Sequence, residues 1–274
     1  MVTKNTFWSK SKFETDDKLS TINGKNLNKI HNKLCSKGFY DYFYKKLLEE
    51  YVGVTDGKTL NLQAIDGCFV QNVYGEYLYK HNPAFYNKTG MKNTALVDKE
   101  GVLLSLIITE STESDQYLVE KTVDNYFIDF EKILNRKLET ITLLMDGGYD
   151  SLVNLLLLSD KGYNVISGTK ANKNFKISED EQINEEIIKL YKCRGIVENY
   201  FARMKQYRIL RNQFEKTIES YTGLFMFSNC LSLYKKLVHL EKIIWRIFKI
   251  IWREKRKTKI KNGNIQRKSK EYEN

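Results

Sequence analysis

The chain has 274 residues, of which 42% are hydrophobic, so it can bury the core of one large α/β domain with a small satellite. Its formal net charge of +11 favours an acidic polymer as partner, with nucleic acid the first candidate, although an AT-rich genome would also enrich Lys and Asn. Charges interrupt the apolar stretches before they reach membrane-spanning length, which argues against a transmembrane helix and a membrane partner.

The cysteines are spread along the chain without a CxxC pair and without a His at metal-ligand spacing. Reduced thiols in an intracellular protein are therefore expected, in the cytoplasm or nucleoid of a prokaryote or in the nucleus of a eukaryotic or viral host. The N-terminal segment lacks an apolar h-region, so no secretory signal is predicted. The four residues are Cys35, Cys68, Cys193 and Cys230.

Residues 1–55 are predicted to form a small helical N-terminal module. Leu27, Ile30 and Leu34 recur at helical spacing, and Gly38 then interrupts the pattern. Such a module is either a helical hairpin packed on the main domain or a helix-turn-helix that binds DNA ends, and the sequence leaves both interpretations open.

The main domain, expected over residues 56–250, opens with strands and then alternates strands with helices. An order of three strands followed by α-β-α-β-α is typical of a ribonuclease-H-like α/β domain, a mixed sheet flanked by helices. Strands are predicted over 60–70, over 94–111 with a turn at 98–101, and over 140–146 and 163–170, and helices over 114–137, 151–162 and 181–210.

A helical C-terminal extension follows, with helices predicted over residues 217–240 and 241–257. Trp245, Phe248 and Trp252, with interleaved Arg and Lys, indicate either a helix that packs on the core, which we favour, or one that lies on a membrane surface. Residues 251–274 are predicted to be a disordered basic tail that adds salt-sensitive affinity for nucleic acid.

A polar stripe marks the longest predicted helix. Tyr191, Arg194, Glu198 and Lys205 have offsets of three, seven and fourteen residues from the first, which keeps them within a stripe about 60° wide. The stripe borders the apolar face of the helix, where the Glu198 carboxylate would need a cation or a metal ion to offset its desolvation. The simpler alternative is an ordinary helical ion pair between Arg194 and Glu198, worth a few tenths of a kcal/mol.

Two aspartates are predicted to emerge from strand ends. Asp66 falls at the end of the first predicted strand of the domain, and Asp146 directly follows the apolar run TITLLM. Open α/β sheets place their sites at the carboxyl ends of strands, so both carboxylates are candidate catalytic groups. Each could instead be a helix cap or a turn residue, since Asp146-Gly147-Gly148 contains a turn signal.

The segments AIDGCF, LLMDGGYDS and YKCRGIVENYFARMKQYRILRNQFEK resemble the three acidic blocks of insertion-sequence DDE transposases, which are marked by the spacing Tyr-x2-Arg-x3-Glu-x6-Lys. The run from residue 86 to residue 116, which includes Lys92 and Asp115, is also similar to the family's segment after the first acidic block. The resemblance covers roughly residues 60–235. The sequence departs from the usual family residues, without loss of a carboxylate, at Cys68, Gly147, Gly195 and Asn199.

The resemblance implies a catalytic triad of Asp66, Asp146 and Glu198 that binds two Mg²⁺ or Mn²⁺ ions, for which carboxylate oxygens are suitable ligands. It further implies cleavage of double-stranded DNA at the element ends, followed by transfer of the 3′-hydroxyl to target DNA by a homodimer. The residues expected to contact DNA phosphates or bases are Tyr191, Arg194, Lys205 and Lys92.

Three alternatives stay open at this point. A domesticated or decayed derivative would bind DNA without cutting it. A ribonuclease-H-like nuclease would use the same triad without strand transfer. A purely structural protein would leave the three acidic blocks as coincidence.

Overall fold

The computed structural model describes residues 12–13, 20–21, 24–73, 80–82, 88–138, 140–168 and 185–242. The chain divides into two compact units, residues 1–230 and residues 231–274. In the second unit, residues 231–242 are helical, and the predicted helix containing Trp245, Phe248 and Trp252, with the basic tail, lies outside the described residues. No helix among the described residues is long and apolar enough to span a bilayer.

Two helices form the N-terminal region, as the spacing of its leucines predicts. They are α1 (Gly24–Ser36) and α2 (Phe39–Thr55), preceded by a short antiparallel pair, β1 (Lys12–Phe13) and β2 (Ser20–Thr21). Gly38 between the helices has φ of 61°, in the left-handed region that glycine adopts without strain. The interruption predicted at this glycine is confirmed.

Buried polar contacts fix both helices to the rest of the first unit. The imidazole of His31 on α1 is 2% exposed and lies 3.1 Å from the Ser220 carbonyl oxygen. On α2, the Tyr44 hydroxyl donates to the Leu103 carbonyl at 2.7 Å. Both contacts join residues far apart in sequence, so α1 and α2 pack against the main domain.

The central sheet is mixed. Within the described residues its five principal strands run in the order β6-β5-β3-β7-β8, with β6, β5 and β3 antiparallel and β3, β7 and β8 parallel. Short strands extend it, because β4 pairs with β5 and β9 pairs with β3. The strands are β3 (Leu62–Asn72), β4 (Lys80–Asn82), β5 (Lys88–Asp98), β6 (Leu103–Glu110), β7 (Ile141–Met145), β8 (Tyr163–Ser167) and β9 (Asn212–Gln213).

Numbered along the domain, the five principal strands have the spatial order 3-2-1-4-5, which is the ribonuclease-H-like arrangement predicted from the sequence. Helices cover the sheet. The remaining helices are α3 (Asp115–Asp124), α4 (Phe130–Leu134), α5 (Leu152–Asp160), α6 (Glu185–Lys192), α7 (Gly195–Lys205), α8 (Arg208–Arg211) and a long C-terminal helix, α9, over residues 218–242.

The predicted turn at residues 98–101 is confirmed, and a buried carboxylate organises it. Asp98 accepts from the backbone N–H groups of Glu100 and Val102 at 2.9 and 2.8 Å and from the Tyr51 hydroxyl at 2.8 Å. Gly101 closes the turn with φ of 69°. Asp98 is fully buried, and these three donors satisfy a carboxylate that would otherwise be costly to desolvate.

Strand alternation assigns different partners to the two faces of β3. Asp66 and Cys68 lie on one face of the strand, which packs on α7. Gly67 and Phe69 lie on the other face. Phe69 pairs with Lys92 of β5, so Lys92 also lies on that second face. Helix α3 packs on β5 and β6 and also on α5. We call these the α7 face and the α3 face.

The helix predicted over residues 114–137 is interrupted, and that prediction is wrong in detail. It splits into α3 and α4 because the intervening chain binds to the sheet edge, where the Phe127 N–H donates to the Leu104 carbonyl at 3.1 Å. The Asp129 side chain then accepts from the Lys132 N–H and caps α4. Tertiary contacts therefore override the helical pattern.

The single helix predicted over residues 181–210 is also wrong in detail, because the chain forms α6, α7 and α8. A turn at residues 193–194 separates α6 from α7. There the N–H groups of Ile196 and Val197 donate to the carbonyls of Cys193 and Arg194, at 3.0 and 3.1 Å. Gly195 follows this turn and lowers the local helix propensity. Residues 181–184 of the predicted helix lie outside the described part of the chain.

Candidate active site

Asp66 and Asp146 lie at the same level of two adjacent parallel strands. The register pairs Ala64 of β3 with Leu144 of β7, and each aspartate follows its paired residue by two positions. Neighbouring strands are about 4.8 Å apart, so the two carboxylates are close neighbours. Asp66 lies within β3, since that strand continues to residue 72, whereas Asp146 follows the last residue of β7. The prediction that the first strand ends at Asp66 is therefore wrong. The pairing of β3 with β7, however, ends at Ala64, two residues before Asp66.

The carboxyl group of Asp66 is strongly perturbed. Its pKa is raised to about 6. Burial is the main cause, and the negative charges of Asp146 and Glu198 add to it, whereas the Gly67 N–H and Arg194 lower the pKa. The Gly67 N–H donates to Asp66 Oδ1 at 2.8 Å. A desolvated carboxyl group beside two others is a place where a positive charge is strongly favoured.

Arg194 supplies such a charge. Its guanidinium lies 3.4 Å from Asp66 Oδ2 through Nη1 and 2.5 Å from Glu198 Oε1 through Nη2. The Arg194 side chain is 20% exposed, whereas that of Glu198 is 55% exposed. The helical ion pair considered from the sequence therefore exists, and its guanidinium also reaches Asp66, 128 residues away in sequence.

Asp146 begins the turn after β7 and is exposed. Its Oδ1 accepts from the Gly147 N–H at 2.7 Å, and its carbonyl accepts from the Tyr149 N–H at 3.0 Å. These bonds fix the backbone of the turn but leave the second carboxylate oxygen, Oδ2, without a protein hydrogen bond among those of the described residues. The turn signal and the strand-end position predicted for Asp146 are both present.

Tyr191 and Lys205 flank the same region. A Cβ placed on Gly168, the residue after β8, would lie 2.1 Å from the Tyr191 hydroxyl oxygen, so this tyrosine packs directly on the chain beside Asp146. Lys205 contacts the buried thiol of Cys68; burial raises the thiol pKa, and Lys205 opposes that rise. Cys68 is on the same face of β3 as Asp66, which places Lys205 on the α7 face.

Lys92 does not join the other predicted site residues. It lies on the α3 face, where its ammonium donates to the Glu113 carbonyl at 2.6 Å and to Asp115 Oδ1 at 3.0 Å. Two residues near it, Asp115 and Tyr149, were not predicted as site residues. The sequence signals were their places in family-like segments, Asp115 in the run after the first acidic block and Tyr149 in LLMDGGYDS.

Within the described ranges, no three His, Cys, Asp or Glu side chains lie together closely enough to share a metal ion. The Glu198 carboxylate is instead paired with Arg194. The donor set of Asp66, Asp146 and Glu198 consists of carboxylate oxygens, which suit Mg²⁺ or Mn²⁺. All four cysteines have free thiols.

The sheet has the ribonuclease-H-like strand order of a transposase catalytic domain. Residues 49–233 match the Transposase DDE domain family, and the chain belongs to that family. The curated proteins contain no match to this sequence.

Among solved structures, the chain resembles a piggyBac transposase in a synaptic complex with hairpin DNA, at 13% identity over 66% of this chain and 48% of that one, with a TM-score of 0.45. It resembles the catalytic domain of Mos1 mariner transposase at 10% identity over 72% of this chain and 88% of that one, with a TM-score of 0.36. A Mos1 paired-end complex with Mn matches at 10% identity over 73% and 62%, with a TM-score of 0.27. The chain spans about half the length of the piggyBac transposase chain.

Proposed function

We propose that the protein is an active DNA transposase that cleaves the ends of a mobile element and transfers them to target DNA, using Asp66, Asp146 and Glu198. The observation that carries the proposal is the strand pairing that sets Asp66 beside Asp146, together with the contacts by which Arg194 joins Asp66 to Glu198 of α7. Neighbouring acidic residues are what a metal-dependent phosphoryl-transfer site requires, and an isolated helical ion pair does not account for the contact between Arg194 and Asp66.

The side chains have the donor chemistry that a divalent cation prefers. The ligand candidates are all hard oxygen donors, and the guanidinium of Arg194 already occupies a position where Asp66 and Glu198 favour positive charge. Asp66, Asp146 and Glu198 would hold two Mg²⁺ or Mn²⁺ ions, which when bound activate the nucleophile and stabilise the leaving oxygen of an in-line displacement.

The cations of the site have a second task in this proposal. Arg194 would exchange Glu198 for a DNA phosphate, since its planar guanidinium binds phosphate oxygens as well as carboxylates. Lys205 and Tyr191 would contact the strand beside the scissile bond. Lys92 is left out of this set, because the Glu113 carbonyl and Asp115 already engage its ammonium on the α3 face.

The N-terminal module, residues 1–55, would bind DNA in addition to the catalytic domain, residues 56–250. Residues 24–37 contain no acidic residue, and the lysines of this stretch are exposed at intervals of four residues. Exposed lysines on one helix suit a phosphate backbone, which releases counterions on binding. Residues 251–274, rich in Lys and Arg, would add affinity independent of sequence. The lysines of α1 and the turn after it are Lys25, Lys29, Lys33 and Lys37.

Joining two element ends needs two active sites on DNA, so a homodimer inside the cell is part of the proposal. The piggyBac transposase forms a synaptic complex with hairpin DNA, and the Mos1 transposase forms a paired-end complex.

The direct test is cleavage of a labelled duplex that carries the gene's own flanking repeats, with Mg²⁺, Mn²⁺ or EDTA. We expect nicking at the repeat ends only with metal, and its loss in Asp146→Ala. The matched control is Asp160→Ala, which removes an exposed carboxylate at the end of α5 and should cut normally. Cutting by Asp146→Ala at the wild-type rate would refute the proposal.

One observation favours a second candidate, a derivative that binds DNA without cutting it. The 2.5 Å contact between Arg194 and Glu198 would be permanent in such a protein. Tight binding of the repeat duplex, with no cutting under either metal, would establish that derivative. Cleavage without joining to target DNA would instead identify a nuclease.

A further inference from the structure

A second cluster of polar side chains lies behind the candidate active site, on the α3 face of β3. Lys92 and Asp115 form an ion pair at 3.0 Å, and the Lys92 side chain is only 15% exposed. The same ammonium donates to the Glu113 carbonyl at 2.6 Å. Two acceptors therefore hold a desolvated lysine in one position, which in turn fixes the carboxylate of Asp115.

The Asp115 carboxylate contacts the backbone on both sides of the site. A Cβ built on Gly67, the residue after Asp66, would lie 3.4 Å from Asp115 Oδ1, and one built on Gly148, two residues after Asp146, would lie 3.5 Å from Asp115 Oδ2. One carboxylate group thus packs against the chain that follows each of the two candidate metal-binding aspartates.

Tyr149 completes the cluster. Its side chain is 1% exposed, and its hydroxyl oxygen would lie 3.0 Å from a Cβ on Gly67. Burial and the charge of Asp115 raise the pKa of this phenol far above its ordinary value. The hydroxyl completes no hydrogen bond of ordinary geometry with the described residues, so the contribution of Tyr149 beside Gly67 is packing.

We propose that Lys92 and Asp115 are positioning residues that hold Asp66 and Asp146 at the spacing needed to share a divalent cation. The inference rests on the proposed metal site, and it assigns Lys92 a role other than DNA contact. Lys92 fixes Asp115, and Asp115 packs against the backbone at Gly67 and at Gly148. Loss of either partner of the ion pair therefore lets Asp66 and Asp146 move apart. Residues that hold metal ligands in position, without binding the metal themselves, commonly affect the affinity for the metal.

The test measures Mn²⁺ binding to the full chain without DNA, from the loss of the free Mn²⁺ signal in electron paramagnetic resonance. Lys92→Met and Asp115→Asn should each weaken binding by about tenfold. The double variant should be no weaker than either single variant, because both remove the same pair. Lys92→Arg keeps the pair and should bind Mn²⁺ nearly as the wild type does. DNA affinity should be unchanged in all four variants.

The sign of the Lys92→Met effect separates positioning from simple electrostatics. Removal of a positive charge near the site would by itself tighten Mn²⁺ binding, whereas loss of positioning weakens it. Tighter binding by Lys92→Met would therefore overturn the inference. So would unchanged Mn²⁺ binding together with a lower melting temperature, which would mark a purely structural pair.

The control is a second ion pair on the same side of the sheet, Lys161 with Asp124 at 2.5 Å. Lys161→Met and Asp124→Asn should leave Mn²⁺ binding unchanged. If the wild type binds Mn²⁺ no better than Asp146→Ala does, the proposed metal site itself fails and the inference falls with it. If binding depends on Asp146 but not on Asp115, only the positioning role is refuted.

Discussion

At the scale of single residues, Arg194 shows how the site is balanced electrostatically. Its guanidinium contacts one carboxylate from β3 and one from its own helical segment. It limits the rise in the pKa of Asp66, which is about 6 mainly because of burial. Three acidic groups without a cation would repel one another. Arg194 therefore stabilises the metal-free arrangement, and a divalent cation would compete with it for the same oxygens.

The raised pKa of Asp66 has a consequence for stability. Its folded-state pKa of about 6 exceeds the ordinary value of 3.8, so the native state binds more protons than the unfolded state between these pH values, and stability falls as pH rises through this window. We predict that Asp66→Asn stabilises the metal-free protein at pH 7 by on the order of 2 kcal/mol, with little effect near pH 4. Urea unfolding in EDTA at both pH values measures the effect.

Asp160→Asn provides the comparison for this prediction, because it also neutralises one aspartate, at an exposed position. A stability gain of Asp66→Asn that is equal at pH 4 and pH 7 would contradict the assigned cause, since the linkage to protonation would then be absent.

At the scale of elements, the sequence predicted the strands better than the helices. The turn at Asp98–Gly101 and the buried strand of TITLLM are recognisable because local signals, a glycine and an apolar run, determine them. The division of residues 114–137 depends on the Phe127 N–H bonding to the edge of the sheet, a contact that no local pattern contains. Boundaries set by tertiary contacts are therefore the part that sequence periodicity misses.

The candidate site divides in the same way. Asp66, Asp146 and Glu198 were predicted from strand positions, helical spacing and the family resemblance, although Asp66 lies inside β3 and not at its end. Asp115 and Tyr149 were not predicted as site residues, because their relation to the site arises only from packing against Gly67 and Gly148. Lys92 was identified, but the strand pairing that places it on the other face of β3 could not be derived from its position in the sequence.

Helix α1 offers a test at this scale. We predict that Lys29→Glu combined with Lys33→Glu weakens binding of the full chain to any duplex and reduces the slope of log affinity against log salt by about two. Fluorescence anisotropy across a range of salt concentrations measures both quantities. Lys132→Glu combined with Lys137→Glu changes the net charge by the same amount, at exposed positions in and after α4. This pair should have a much smaller effect on DNA affinity and on the salt slope. Equal losses for the two pairs would show that net charge, and not α1, determines binding.

At the scale of the whole molecule, the protein combines a ribonuclease-H-like sheet, two aspartates side by side on adjacent parallel strands or directly after them, and a net charge of +11. The sheet places Asp66 beside Asp146, and α7 carries Glu198 to the same face. The positive charge suits a polyanionic substrate. In the proposed function, these features act together when the three carboxylates bind metal ions on DNA.

The most direct test of that central claim compares the wild type with Glu198→Gln for cleavage of the repeat duplex in Mn²⁺ and for binding of the same duplex in EDTA. The substitution keeps the size of the side chain and removes its charge. We predict unchanged DNA affinity and cutting reduced to the level seen with EDTA, while Glu219→Gln, at an exposed position on α9, cuts like the wild type. Cutting by Glu198→Gln at the wild-type rate would contradict the assignment of the third carboxylate and with it the proposed mechanism.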